Sequence, residues 1–531
     1  MRKKINKPHD DDAHHQDLNG DFNKGGIAIV LIALVIAYLL LTIGIGLYAS
    51  LRVQNAKDFL VAGRSLPLYI TIATVFATWF GAETVLSVSA TFTKDGLKGI
   101  PGDPFAASIS LFLVAIFFAK AFYRMDLMTI GDFYKKRYGK LIEVLTSVVI
   151  VISYLGWTSA QMTALGLVIS VLSGDLISLN MAIILGSLVV IIYTFFGGMW
   201  SVALTDMLQA VLIIIGLIFV AYLIGEMAGG PSVVIEHAKN AGKFQMFPDR
   251  GSADWGPFIG SFITVCLGTI PQQDVFQRVT SAKDEKTAVW GTIIGASIYF
   301  IAAFIPMFIA YAALVIDPNY LSLFANEDTR IVQKILPDLV LNRTPLWAQA
   351  LFFGALLSAI LSTASGALLA PTALFTENVL KPFNPAMNDK QMMTSLRVVL
   401  ILFSVAALLF ALQSNSTMYE MVQNAYNVTL VGALVPLVAG LVWPKASLQG
   451  ALFSVVLGIG VWIPLEYVGN SIPQLWGLLV SAIGMLIGSV IPQWITPPPE
   501  VKFHHHHEGM HVAHHTHHEP RHPHNDENNS N

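Results

Sequence analysis

Long apolar runs recur along the chain, and they limit its fold more than any other feature. Stretches of about 20 predominantly apolar residues, each enough to cross the hydrocarbon of a bilayer, repeat from one end to the other. With no water to bond to, every backbone N–H and C=O in such a stretch must be satisfied internally, so each reads as a membrane-spanning helix. The windows fall at roughly 25–50, 67–90, 104–123, 141–173, 180–197, 200–228, 255–275, 287–315, 345–377, 393–413, 418–442, 446–467 and 472–496, about 13 in all. The expected class is an all-α polytopic membrane protein. Composition agrees, since 54% of the 531 residues are hydrophobic and 12% charged. The net charge is −3 with no basic block, which argues against nucleic acid. The single Cys266 excludes an intrachain disulfide. The first run is too long for a signal-peptide core and is expected to stay as a span. Residues 1–24 and 497–531 are polar and are expected to be disordered tails.

An odd number of spans puts the termini on opposite sides. The loop after the third span carries Arg124, Lys135, Lys136, Arg137 and Lys140. Arg52, Lys57 and Arg64 follow the first span, and Arg278, Lys283 and Lys286 follow the seventh. Basic loops stay in the cytoplasm, so the N-terminus is expected outside and the C-terminus inside, at the plasma membrane. Arg2, Lys3, Lys4 and Lys7 oppose this, but they lie well before the first span.

Two spans look interrupted. The second carries Thr78-Trp-Phe-Gly-Ala-Glu83, and the seventh carries Gly268-Thr-Ile-Pro271 followed by Gln272, Gln273 and Asp274. Glycine and proline free backbone groups there, which is tolerated only where they line a cavity or are buried in protein. The breaks open two consecutive five-span blocks, near 67–228 and 255–442. Broken helices in matching positions of two repeats point to a transporter's central site.

The ninth window holds Ser358-Ala-Ile-Leu-Ser-Thr-Ala-Ser-Gly366. Ser358, Ser362 and Ser365 share one helical face with Ala359, Thr363 and Gly366 beside them. Neutral hydroxyl oxygens suit a hard monovalent cation that must be released again. A small-residue face also serves close helix packing.

Tyr193-Thr-Phe-Phe-Gly-Gly-Met-Trp-Ser201 resembles the signature of the sodium:solute symporter family, which transports proline, sugars, pantothenate, monocarboxylates and choline. The resemblance extends over roughly 25–440 and implies a LeuT-type fold of two inverted five-helix repeats. It also implies Na+ as coupling ion, held by backbone carbonyls of Ala77, Phe80 and Ala359 and the hydroxyls of Ser362 and Thr363. Ser365 fits a second Na+ site found in some members, but Gly366 stands where those have another serine, so one Na+ per cycle is expected. Asp206 matches an acidic residue on the family's ion path. Read without the family, it caps a helix start in interfacial water.

Near Trp79, and in Ile270-Pro-Gln-Gln-Asp-Val-Phe-Gln-Arg278, the chain most resembles the choline-transporter branch. Aromatic faces hold quaternary ammonium groups by cation–π attraction, and Trp79 and Trp157 match two such positions. Gln272 stands in place of a third. Glu83, Gln161, Gln272 and Gln273 suit a solute with more hydrogen-bonding groups, such as proline or betaine. Each Trp has lipid-facing packing as its alternative reading.

Ile331, Ile335, Leu336 and Leu339 are spaced like a short amphipathic helix, either a gate over the outer vestibule or an interfacial helix. Eleven of the fifteen His lie between 504 and 524, a composition that binds divalent metal incidentally. Na+-coupled import of a small polar solute is the expected function. A proton-coupled transporter using Glu83 or Asp206 is the alternative. No catalytic constellation for an enzyme is evident, because His237 is the only His between the tails.

Overall fold

A computed structural model describes residues 11–325 and 329–497, and helix is the only regular secondary structure among them apart from one isolated bridge, Leu66 to Ala282. Among them, nine helices are long and apolar enough to cross a membrane. Two further spans are bent pairs, and two shorter apolar helices complete the pattern, so every expected window holds a helix. We number them α1 (Asp11–Ser50), α2 (Leu68–Trp79 with Glu83–Asp95), α3 (Pro101–Arg124), α4 (Lys140–Leu172) and α5 (Leu179–Ile192). Next come α6 (Thr194–Met227), α7 (Trp255–Gly268 with Gln273–Thr280), α8 (Glu285–Ile316) and α9 (Leu346–Phe383). The last are α10 (Asp389–Gln413), α11 (Met418–Gly432 with Leu434–Val442), α12 (Leu448–Tyr467) and α13 (Pro473–Val490).

Burial orders these helices around a centre. The most apolar window of α9 is 89% buried, whereas that of α1 is 11% buried. Small residues explain the first value. Ser358, Ala359, Ser362, Thr363, Gly366 and Ala367 give α9 a face that α4 and α6 approach closely. The apolar side chains of α1 point largely to lipid, with Ile29, Leu40 and Tyr48 exposed, and such a helix is held only along one edge.

The signature stretch 193–201 sits where α5 passes into α6. Gly198 takes φ 52° and ψ −137°, and a Cβ there would lie 2.5 Å from the Phe59 carbonyl. Only glycine fits both the backbone and the space.

Two expectations are corrected here. The polar stretch 11–24 was expected to be a disordered tail, but the first helix begins at Asp11 and its membrane window begins only at Ala28. Once the apolar part has nucleated a helix, extending it adds one bond per residue fixed. Arg278 was counted among the loop cations, yet it is 2% exposed and lies in the second half of α7. The His-rich region, residues 1–10 and 326–328 lie outside the described residues.

Candidate functional site

The break in α2 organises the site. Its first half ends at Trp79, where Phe80 leaves the helix at φ −85° and ψ 78°. The last carbonyls of a helix lose their N–H partners at such a point. Here α9 supplies them. Ser362 Oγ lies 2.7 Å from the Ala77 carbonyl and 3.0 Å from that of Ala359. Thr363 donates to the Thr78 carbonyl at 3.0 Å and is 3.4 Å from that of Ala77. Ala77, Ala359, Ser362 and Thr363 therefore meet in one fully buried cluster, with Phe80 at the break itself. The helix face read from the sequence divides in three. Ser358 is held by Tyr38 of α1 at 2.6 Å, and Ser365 bonds back to the Ser362 carbonyl at 3.0 Å. Only the middle pair reaches α2.

Asp206 is fully buried within α6, which removes the interfacial reading. It accepts a bond from Thr74 of α2 at 2.7 Å, and its other carboxylate oxygen has no partner. Arg278 approaches the same region from α7. Its Nε donates to Thr78 Oγ1 at 3.2 Å, and its Nη1 reaches the Asp274 carbonyl at 3.4 Å. A Cβ on residue 366 would stand 2.6 Å from Arg278 Nη2, so Gly366 leaves the room that this guanidinium fills. The sequence reading missed this use of Arg278, because a cation after a span looks like a loop residue until its neighbours are known.

Beyond the break lies a second layer. Trp79 stacks on Tyr426 of α11 with centroids 6.4 Å apart and planes at 5°, and Trp157 of α4 packs 5.9 Å from Trp79. Glu83, buried, accepts from Gln161 Nε2 at 2.7 Å and from Trp157 Nε1 at 3.4 Å, while Gln161 accepts from the Ala82 N–H at 3.1 Å. Trp79, Glu83, Trp157 and Gln161 are thus one assembly. A small space of about 20 Å³ adjoins it, lined by Trp79, Glu83, Asp103, Tyr299, Tyr419 and Tyr426, among others. Asp103, Tyr299 and Tyr426 were not singled out in the sequence. Asp103 in Pro101-Gly-Asp-Pro104 lies one residue before the expected third window, and the structure brings it into the span, which begins at Pro101.

Gln272 and Gln273 are not among the residues lining this space. Gln272 donates to Thr429 Oγ1 at 3.0 Å and approaches Ser153 at 3.4 Å, and Gln273 accepts from the Ile130 N–H at 2.8 Å. Both brace the break in α7.

On one face of the molecule an open cleft of about 570 Å³ leads toward the small space, and Tyr419 and Gln423 line both. The Tyr419 hydroxyl accepts from the Gly102 N–H at 3.3 Å, and Ser261 donates to Gln423 at 2.8 Å, so the two residues shared by both spaces are tied to α3 and α7. Val332 of the segment 329–343 lines the cleft, while Ile335, Leu336 and Leu339 of that segment are buried.

Known proteins resemble this chain over most of its length. The high-affinity choline transporter 1 of Caenorhabditis elegans is 25% identical over 81% of this chain and 76% of its own. The sodium/glucose cotransporter of Vibrio parahaemolyticus is 24% identical over 87% of this chain and 90% of its own. Among solved structures, a Na+-coupled sialic acid symporter in its outward-open state superposes with a TM-score of 0.75, at 20% identity, over 87% of this chain and 97% of that one. That likeness gives the fold, the LeuT type with two inverted five-helix repeats. The model of the sodium:solute symporter family matches residues 59–458. The chain belongs to the sodium:solute symporter family, as a multi-pass membrane transporter with Na+ as its coupling ion.

Proposed function

We propose that the protein imports a small polar organic solute with one Na+ per cycle, by alternating access across the plasma membrane. The N-terminus is outside, and the open cleft is the outer vestibule. The repeats run about 67–228 and 255–442, so the two breaks open corresponding helices. Na+ binds the carbonyls of Ala77, Phe80 and Ala359 and the hydroxyls of Ser362 and Thr363. One observation carries this reading: Ser362 and Thr363 reach the freed carbonyls of α2 from 285 residues away in the chain. Oxygen atoms 2.7–3.4 Å apart, with no charged side chain among them, support this reading.

Na+ tethers the first half of α2 to α9 and favours the form that accepts solute. Asp206, with one carboxylate oxygen unpartnered, draws the ion toward the inner side as it leaves. Solute binds beside Trp79, Trp157, Gln161 and Glu83, and choline-, betaine- and proline-like molecules are the reference solutes against which its selectivity is measured. Gln272 and Gln273 support the site through the α7 break. One Na+ crossing ~100 mV contributes about 2.3 kcal/mol. A tenfold gradient adds about 1.4 kcal/mol, so a neutral solute could accumulate several hundred-fold.

Proteoliposomes test the proposal. Uptake of a panel of solutes is measured with Na+ or K+ outside, for the wild type and Ser362→Ala. Na+-dependent uptake of one solute, lost in the variant, is the expected result. Uptake indifferent to Na+ but driven by an inward proton gradient would instead favour coupling through Glu83 or Asp206.

A further inference from the structure

Resting on the symporter reading above, we infer that the site between the broken spans, widened as the cleft opens onto the space at Glu83 and Asp103, takes a protic organic dication, in its simplest form an alkyl diamine. Two carboxylates border that space, Glu83 of α2 and Asp103 at the start of α3, and both are buried. All their hydrogen-bond partners are neutral. Glu83 accepts from Trp157 and Gln161, and Asp103 accepts from Thr84 Oγ1 at 3.2 Å and from the Tyr299 hydroxyl. Among the described residues no Lys, Arg or His lines the space, and neither carboxylate is in an ion pair. The fold also makes room for this pair, because a Cβ at Gly81 would stand 2.4 Å from Glu83 Oε2.

Neutral donors reduce the penalty of burying a carboxylate but leave its charge unmatched. Near Asp206 and Asp274 the chain provides its own cation, Arg278, and at Glu83 and Asp103 it provides none. A solute with two ammonium ends would match both charges. Each carboxylate accepts about four hydrogen bonds, so acceptor sites remain for N–H donors beyond the neutral partners already in place. The stacked rings of Trp79 and Tyr426 offer an apolar surface for an alkyl stem and ring faces for its charged ends. A quaternary ammonium has no N–H to donate and leaves one carboxylate unmatched. A zwitterion brings a third carboxylate to the other two.

The test is binding to the purified full-length protein in Na+, by thermal shift and calorimetry. The probes are a diamine series from diaminopropane to diaminohexane, with butylamine, choline and proline beside it. One chain length should bind about tenfold more tightly than butylamine, as two charge-assisted contacts replace one. Asp103→Asn should reduce that diamine to the level of butylamine. The wild-type series is informative even if the variant does not fold. Choline or proline binding in Na+ at least as tightly as every diamine would overturn the dication and leave the symporter reading standing. A diamine preference that survives Asp103→Asn would overturn the role of Asp103. If no solute binds and Na+ and K+ stabilise the protein equally, the dication and the Na+ reading fail together.

Discussion

The two broken spans share a sequence style and differ in what surrounds the break. In α2 the freed carbonyls of Ala77 and Thr78 face hydroxyls, and the residues after the break, Glu83 first, border a cavity. In α7 the backbone groups opened by the break are bonded by neighbouring elements, while Gln272 Oε1, Gln273 Nε2 and Asp274 Oδ2 are left without a partner. Thr429 donates to the Gly268 carbonyl at 2.6 Å, and the Asp274 N–H donates to Tyr154 at 2.8 Å, while Gln272 and Gln273 are tied to neighbouring elements. Glycine or proline can open a helix, but the neighbours decide whether the opened groups meet a ligand or a buttress.

Substitutions at the two breaks should separate these duties. The largest effect is expected for Ser362→Ala, which removes a hydroxyl from the α2 cluster. The half-saturating Na+ concentration for uptake should rise about tenfold or more, since an exposed carbonyl and a lost ligand together are worth about 1–3 kcal/mol. Thermal stability in K+ should change far less. A matching rise for Thr429→Val would erase the distinction between the breaks.

Gly366→Ala comes next, because its new methyl meets Arg278 Nη2 at 2.6 Å. Overpacking of this kind costs about 1–3 kcal/mol, read as a lower melting temperature. Thr429→Val should also lower stability, by about 1–3 kcal/mol, because the Gly268 carbonyl loses its donor in a buried place. Its Na+ dependence should remain that of the wild type. The smallest effect is expected for Arg124→Ala, at the end of α3. Its pair with Glu285 spans 2.8 Å, but Arg124 is half exposed, and such a pair is worth under about 1 kcal/mol. A large loss there would show that the paired ends of α3 and α8 are coupled to the site.

Much of the fold was legible because its signals are local. Apolar windows are read along one stretch of chain, and the structure puts a helix in each. The breaks at Gly81 and Pro271 were legible for the same reason, as was the hydroxyl pair Ser362 and Thr363. Side-chain duties were less so. Gln272 and Gln273 read as solute residues from their place beside a break, and nothing local revealed Ser153, Thr429 or Ile130 as their partners in this structure. Asp103 and Tyr426 belong to different spans, and only packing brings them to the same cavity as Glu83.

The sequence by itself determined that this chain spans a membrane many times, where two helices break, and which helix face carries the hydroxyls that meet one of the breaks. Hydropathy and helical period act over one turn to one span, so one stretch of sequence contains them. The tertiary structure decided which hydroxyls meet which carbonyls, that Arg278 is buried beside Gly366, and that Glu83 and Asp103 border one space. Those outcomes depend on contacts between segments 19 to 285 residues apart, as in Thr84 with Asp103 and Ser362 with Ala77. Such contacts are fixed by how the helices pack as solids, which no local pattern records.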